Sequence, residues 1–287
     1  MQTRIVVGVD ESDNSLIAVA SAAAEAALRG RPLHILHADP FGQPLTTPAD
    51  EQPSDSGSWI LDRAVDWARA AEPVVEVDGE VVRRFPQQAL IDASQTAELV
   101  VIGDRGLSAL QRAVVDTVAG GLAMQSSCPV LVTRGAGDPD GPIIVGIDGS
   151  AAGEAAVGFA FAEADLRGSD LVAVHAWSRP VAYDASHTLP LVFDEDAIQA
   201  GAERLVSEAL TGWHEKHPDV RVRHRLVHGR ARRVLTEAAN GGQMLVVGTR
   251  GRSVLPDVEL GSVSSHLLHD APSPIVVVPQ AWTPGHA

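Results

Sequence analysis

Gly248, Gly251, Gly261 and Ser262 follow the spacing Gly-x2-Gly-x9-Gly-Ser, a pattern suited to holding an anion. Glycines let backbone N–H groups approach a phosphate without a Cβ in the way. A serine opening a helix, with the unbonded N–H groups of the first turn and the helix dipole behind it, completes such a site. Asp148 follows the apolar run Ile143–Ile147, which puts a carboxylate at a strand end. There it can accept hydrogen bonds from a hydroxyl or a ring N–H, sit near a metal ion, or close an Asx turn ahead of a helix. Asp10 takes the same place after Ile5–Val9.

Other chemistries find less support. Lys216 is the single lysine, so the phosphate loop GxxxxGK[ST] is absent, and lysine base or Schiff-base chemistry could involve that residue alone. No GxSxG nucleophile elbow occurs. His224 and His228 share a strand face, and His214/His217 and His266/His269 stand three apart, without a cysteine or carboxylate at ligand spacing. They read as solvated or core histidines and no metal site is expected; His37 and His175, at matching strand ends, read as structural. Cys128 is the single cysteine; it excludes an intrachain disulfide and reads as a buried packing thiol.

The elements that must position these residues occur twice. Gly8-Val9-Asp10-Glu11-Ser12 returns as Gly146-Ile147-Asp148-Gly149-Ser150, an offset of 138 residues (10 to 148). Glu25, Leu28-Arg29-Gly30 and His37-Ala38 match Glu163, Leu166-Arg167-Gly168 and His175-Ala176 at the same offset. Gly103-Asp104-Arg105-Gly106 returns as Gly248-Thr249-Arg250-Gly251, an offset of 145 (103 to 248), so the second copy holds seven more residues in its middle. A repeat this long is a duplicated domain, since solenoid modules repeat every ~20–50 residues.

Within the first copy, apolar runs predict strands at Ile5–Val9, Leu33–Ala38, Val74–Phe85 (with a break signal at Asp78-Gly79), Leu99–Ile102 and Val130–Thr133. Helices are expected at Asn14–Leu28, around Trp59–Trp67, at Gln87–Thr96 and at Thr117–Ser126. The second copy predicts strands at Ile143–Ile147, Leu171–His175, Val220–Val227, Met244–Val247 and Ile275–Val278. The Gly-, Pro- and Asp-rich stretch Gly135–Gly141 reads as a linker between domains at 1–134 and 142–280. Alternating strands and helices imply an α/β, Rossmann-like domain in each copy, with its own doubly wound parallel sheet. Ligands bind such sheets beyond the carboxyl ends of the strands. That singles out Asp10, Ala38 and Gly103 in one copy, and Asp148, Ala176 and Gly248 in the other.

Composition narrows the classes. An apolar fraction of 45% over 287 residues supports two packed cores. A net charge of −15 argues against a nonspecific partner such as nucleic acid or an anionic membrane, though a local cradle of N–H groups can still hold phosphate. No stretch approaches the ~18–20 apolar residues of a membrane span, and no signal-peptide pattern opens the sequence, so a cytoplasmic protein is expected.

Each copy resembles a universal stress protein domain of the ATP-binding kind. The carriers are VVGVDES and IVGIDGS, LHADP and VHAWS, VIGDRG and VVGTRG, and GSVSSHLLHDAPSPIVVVP at Gly261–Pro279. The resemblance covers nearly the whole chain, and the arginine-rich, lysine-poor usage is similar to that of high-GC bacterial members. It implies two adenine nucleotide alpha hydrolase-like domains, each a five-stranded parallel sheet of order 3-2-1-4-5 flanked by helices. It implies ATP as ligand, the adenine near Ala176 and Val247, Asp148 near the ribose and base, and the phosphates on Gly248, Gly251, Gly261, Ser262 and Val263. The corresponding first-copy residues are Asp10, Ala38, Gly103, Gly106 and Thr117. The last strands, Val130–Thr133 and Ile275–Val278, would pair with each other or across a homodimer.

The first copy departs from the family pattern, since Asp116-Thr117 stands where Gly-Ser is expected. At about 4 Å and an effective dielectric of about 20, an aspartate there repels a phosphate charge by roughly 4 kcal/mol before screening. Arg112 is the nearby compensating charge. The expected activity is that of an ATP-dependent regulator or sensor in stress adaptation with an unidentified protein partner, not a metabolic enzyme: the cradle lacks an evident general base and a lysine clamp. The alternative is a slow ATP hydrolase in which Asp148 helps to hold Mg²⁺. A third reading, a nucleotide-free scaffold, is disfavoured by the intact second motif.

Overall fold

The computed structural model describes residues 3–40, 56–104, 118–134, 137–178, 195–251 and 260–283. The first half runs β1 (Arg4–Val9), α1 (Asp13–Arg29), β2 (Leu33–Ala38), α2 (Ser56–Ala71), β3 (Val77–Val82), α3 (Pro86–Ser94) and β4 (Ala97–Gly103), then helical residues 118–125 and β5 (Val130–Thr133). The second runs β6 (Ile143–Gly146), α4 (Ala151–Arg167), β7 (Leu171–Trp177), α5 (Glu195–Leu210), the short α6 (Trp213–Lys216) and β8 (Val222–His228). It closes with α7 (Ala231–Ala238), β9 (Met244–Gly248), α8 (Ser262–Asp270) and β10 (Ile275–Val278).

Local chemistry sets the long helices. α1 and α4 are alanine-rich, and each begins at a serine N-cap, Ser12 or Ser150. Each ends at a left-handed glycine, Gly30 (φ 61°) or Gly168 (φ 63°). The N–H of Arg31 then reaches back to the Ala26 carbonyl, and that of Ser169 to Ala164, both at 2.9 Å, as in a Schellman ending.

The strands form one sheet in the order β3-β2-β1-β4-β5-β10-β9-β6-β7-β8. Neighbours are parallel throughout, except that β5 and β10 are antiparallel. The expected separate sheets are therefore joined edge to edge. Leu131 faces Val276 at the centre of the junction. These two residues are equivalent in the repeat (131 to 276, the offset of 145), so the halves meet about a local two-fold axis, as in an isologous dimer. Of the two pairings expected of the last strands, the one with each other is present: β5 lies between β4 and β10, and β10 between β5 and β9, so these strands leave no free edge for a homodimer.

Leu33 pairs with Val77, and Leu171 with Val222. The seven extra residues thus fall between the second and third strands of the second half, in the connection that carries α5. The expected break at Asp78-Gly79 is also corrected, because β3 runs through both residues. A Cβ on Gly79 would meet Leu61 Cδ1 at 2.6 Å and the Ile35 carbonyl at 2.7 Å, so this glycine admits α2 against the edge strand.

Burial follows from strands covered on both faces. One face packs α1, α2, α4 and α5 over Ile5, Val7, Val145 and Ala173. The other packs α3, helical residues 118–125, α7 and α8 over Val6, Val100, Ile144 and Val277. A buried ion cluster links α1 to α4. Arg29 pairs with Glu25 and Glu163, and Arg167 pairs with Glu25 at 2.6 Å and Glu163 at 2.9 Å. Burial pushes the Arg29 guanidinium down, but Glu163 and Glu25 outweigh it and hold the group above its ordinary value. Among the described residues no helix is long and apolar enough to cross a membrane.

Candidate functional site

The loop after β6 turns on Asp148. Its Oδ1 accepts the Ser150 N–H at 3.0 Å and lies 2.7 Å from Ser150 Oγ, while Oγ accepts the Gly153 N–H at 3.1 Å. The Asx turn is therefore present, and it orients the carboxylate without using all of it. Oδ2 points at Gly251, where a Cβ would come within 2.6 Å of it. Below, His175 Nδ1 lies 2.7 Å from the Ile147 carbonyl. A carbonyl only accepts, so Nδ1 carries the proton and the ring clips β7 to the end of β6. His37 does the same to the Val9 carbonyl at 3.0 Å, which gives both strand-end histidines a structural role.

β9 delivers Gly248 beside α4. A Cβ there would meet the Ala152 carbonyl oxygen at 2.5 Å, so the close approach of strand end and helix requires glycine. The chain returns at Gly261, whose N–H donates to the Thr249 carbonyl at 2.8 Å. Its φ of −54° is ordinary; a Cβ at Gly261 would crowd Arg250 Cα and the Thr249 carbonyl at 3.3 Å. Ser264 Oγ donates to the Gly248 carbonyl at 2.7 Å and ties α8 to the strand end. Among the described residues no side chain caps the start of α8 at Ser262, unlike α1 and α4. Its first N–H groups lack intrahelical acceptors by construction.

These pieces enclose a cavity of about 190 Å³ at the carboxyl ends of the strands. Asp148, Ala176, Val247 and Gly248 line it from the strand ends, and Gly251, Gly261, Ser262 and Val263 from the loop and helix start. All eight residues singled out in the second copy thus converge. Sequence reasoning missed Leu235 of α7, which walls the apolar end beside Ala231, and the tie made by Ser264. The signal for α7 was available in the Gly229-x-Ala231 turn that opens it. A larger groove of about 940 Å³ lies on the other face between α4 and α5, but the helix start it borders is already capped by Ser150.

In the first half, Asp10, Ala38 and Gly103 line a cavity of about 170 Å³ together with Leu36 and Leu90. Asp10 Oδ1 accepts the Ser12 N–H at 2.9 Å, repeating the turn at Asp148. Gly106, Arg112, Asp116 and Thr117 lie outside the described residues. Next to Gly103, Asp104 pairs with Arg134 at 3.0 Å, where the second half has the buried Thr249. Burial pushes the Cys128 thiol up to about 12, in keeping with a packing role.

The universal stress protein family model matches the chain twice, over residues 1–134 and 141–279. The chain is 38% identical over 296 residues to the universal stress protein Rv2005c of Mycobacterium tuberculosis, covering 98% of both. The chain belongs to the universal stress protein family. A second relative, a universal stress protein of Mycolicibacterium smegmatis, is 34% identical over 96% of both chains. The crystal structure of a universal stress protein from Archaeoglobus fulgidus superposes with a TM-score of 0.63 over 97% of both chains at 19% identity, and so shares its fold. Within this tandem universal stress protein the glycine loop and the uncapped start of α8 stand together in the second half.

Proposed function

We propose that the second half binds an adenine nucleotide, ATP, and that the chain acts as a nucleotide-dependent regulator or sensor in stress adaptation. In this reading it comprises two domains, 1–134 and 142–280. The observation that carries it is the uncapped N-terminus of α8 opening onto a cavity lined by Asp148, Gly248, Gly251 and Gly261. An anion there would be met by backbone N–H groups and by the positive end of the helix dipole. The apolar end, between Ala176, Val247 and Leu235, suits a purine ring, and Asp148 Oδ2 suits a ribose hydroxyl. At about 190 Å³ the cavity is smaller than the roughly 300–1,000 Å³ of whole-ligand clefts. It takes the nucleoside and leaves the phosphates on the rim of Gly251, Gly261 and Ser262.

Gly248 and Gly261 are required by close approach of the protein's own backbone and Gly251 by Asp148, so the reading is supported by the cavity lining and the start of α8. The first half keeps Asp10, Ala38 and Gly103 and is proposed as the weaker site because of Asp116. Mass spectrometry of small molecules released from purified, denatured protein tests the reading: an adenine nucleotide is expected, and a different ligand class contradicts it. Single-turnover incubation with ATP and Mg²⁺ separates binding from slow hydrolysis. Wild type is expected to return intact ATP; ADP formation lost in Asp148→Ala would instead assign the hydrolase.

A further inference from the structure

Among the described residues the ten-stranded sheet ends in two outer strands, β3 and β8, and they carry opposite charge at equivalent positions. Asp78 and Glu80 are exposed on β3 and Glu76 just before it, and Arg223 and Arg225 on β8 and Arg221 just before it. The repeat offset of 145 sets Arg221 on Glu76, Arg223 on Asp78 and Arg225 on Glu80. From Val220 to Arg233 the sequence holds six arginines, two histidines and no acid, in a chain of net charge −15. From Glu72 to Val82 it holds four acids and no base.

Both charged rows leave the same face of the sheet. Asp78 and Glu80 share a face with Val82, and Arg223 and Arg225 with Val227; Val82 and Val227 pack on the α3–α7 side. Val77 and Val222 pack on the other. The rows are held in place: His34 lies 2.7 Å from Asp78 and 3.3 Å from Glu80, and Asp170 pairs with Arg223. Even so, the Asp78 and Glu80 side chains stay 69% and 57% exposed.

The Leu33 N–H donates to the Glu76 carbonyl and the Leu171 N–H to the Arg221 carbonyl, both at 2.9 Å. Strand alternation then turns the backbone groups of Val77, Gly79 and Val81, and of Val222, His224 and Leu226, toward the outer edges. β3 and β8 run in opposite directions, because the sheet reverses once, at β5–β10. A second copy laid beside the first in the same orientation therefore brings its β8 antiparallel to β3. With Gly79 opposite His224, Asp78 faces Arg225 and Glu80 faces Arg223. These are the non-hydrogen-bonded positions, where side chains approach most closely. Pairing like edges would oppose acid to acid or arginine to arginine, which destabilises.

We propose that this chain associates head to tail with further copies of itself, β3 of one against β8 of the next. The exposed Val74 and Val81 add apolar surface at the acidic edge. Such a heterologous contact builds rings or filaments.

Sedimentation velocity on the full chain tests it, in low salt and in about 0.5 M salt, where exposed charges are screened beyond a few ångströms. Two variants complete the test: Asp78→Arg/Glu80→Arg, with two basic edges, and Arg223→Glu/Arg225→Glu, with two acidic edges. Wild type is expected to form species above the monomer in low salt, weakened about tenfold or more by salt or by either variant. An equimolar mixture of the two variants, each folded by circular dichroism, is expected to associate again. A wild type that stays monomeric in low salt, or species that persist in both variants separately, would overturn the proposal.

Discussion

Gly251 and Gly261 line the proposed site at places where a Cβ has little or no room. A Gly251→Ala side chain would press on Asp148 Oδ2, and the carboxylate would have to move away from the ligand. We expect ATP affinity to fall about tenfold, the equivalent of one modest hydrogen bond near 1.4 kcal/mol, with the thermal midpoint nearly unchanged. Isothermal titration calorimetry beside a melting curve checks both. Cys128 gives a second residue-level prediction. With its thiol held up to about 12 by burial, it should resist iodoacetamide at pH 8 in the native protein and react in denaturant. The sign of the linkage follows: the unfolded thiol ionises near 9 and the folded one near 12, so this group's stabilising contribution is intact below pH 9 and declines above it. Mass analysis of alkylated protein decides the reactivity.

At the scale of elements, the strand–turn–helix start is the unit that both halves repeat. Ser150 caps α4 and also binds Asp148, so it joins helix stability to the site. Ser150→Ala should cost about 1 kcal/mol of stability through the lost cap, readable in urea unfolding, and should also weaken ATP binding as Asp148 loosens. Ser12→Ala should cost the same stability without touching the second site. These elements were legible in the sequence because Asp, Ser and Gly at fixed places are each forced by a turn or a cap. The convergence of Gly248, Gly251 and Gly261 on one cavity was legible because glycine at a strand end and at a helix start marks close backbone approach. Gly79 misled, since glycine marks a break and a close packing contact alike, and only the position of Leu61 tells them apart. Leu235 was missed because an apolar residue on a short helix looks the same whether it packs the core or walls a cavity.

Across the whole molecule, the halves act as the two subunits of a symmetric pair fused into one chain. The junction at Leu131 and Val276 and the cluster of Glu25, Arg29, Glu163 and Arg167 lie about the same local axis. Both charged pairs were visible as matched positions in the repeat. Their contact across the halves was not, because the resemblance left open whether the last strands pair with each other or across a homodimer. Arg29→Ala leaves the buried Glu25 and Glu163 to share Arg167 alone and should destabilise by roughly 3 kcal/mol in urea unfolding, the low end for a broken buried pair, whereas breaking the exposed Arg233–Glu237 pair should cost little. The central claim is that one half holds the nucleotide and that the start of α8 is where its phosphates bind. Calorimetric titration of ATP into wild type and Gly261→Asp tests it most directly. We predict one tight ATP per chain in the wild type and near-complete loss in the variant, with the fold intact by circular dichroism. Unchanged affinity in Gly261→Asp, or two equally tight sites in the wild type, would contradict the account.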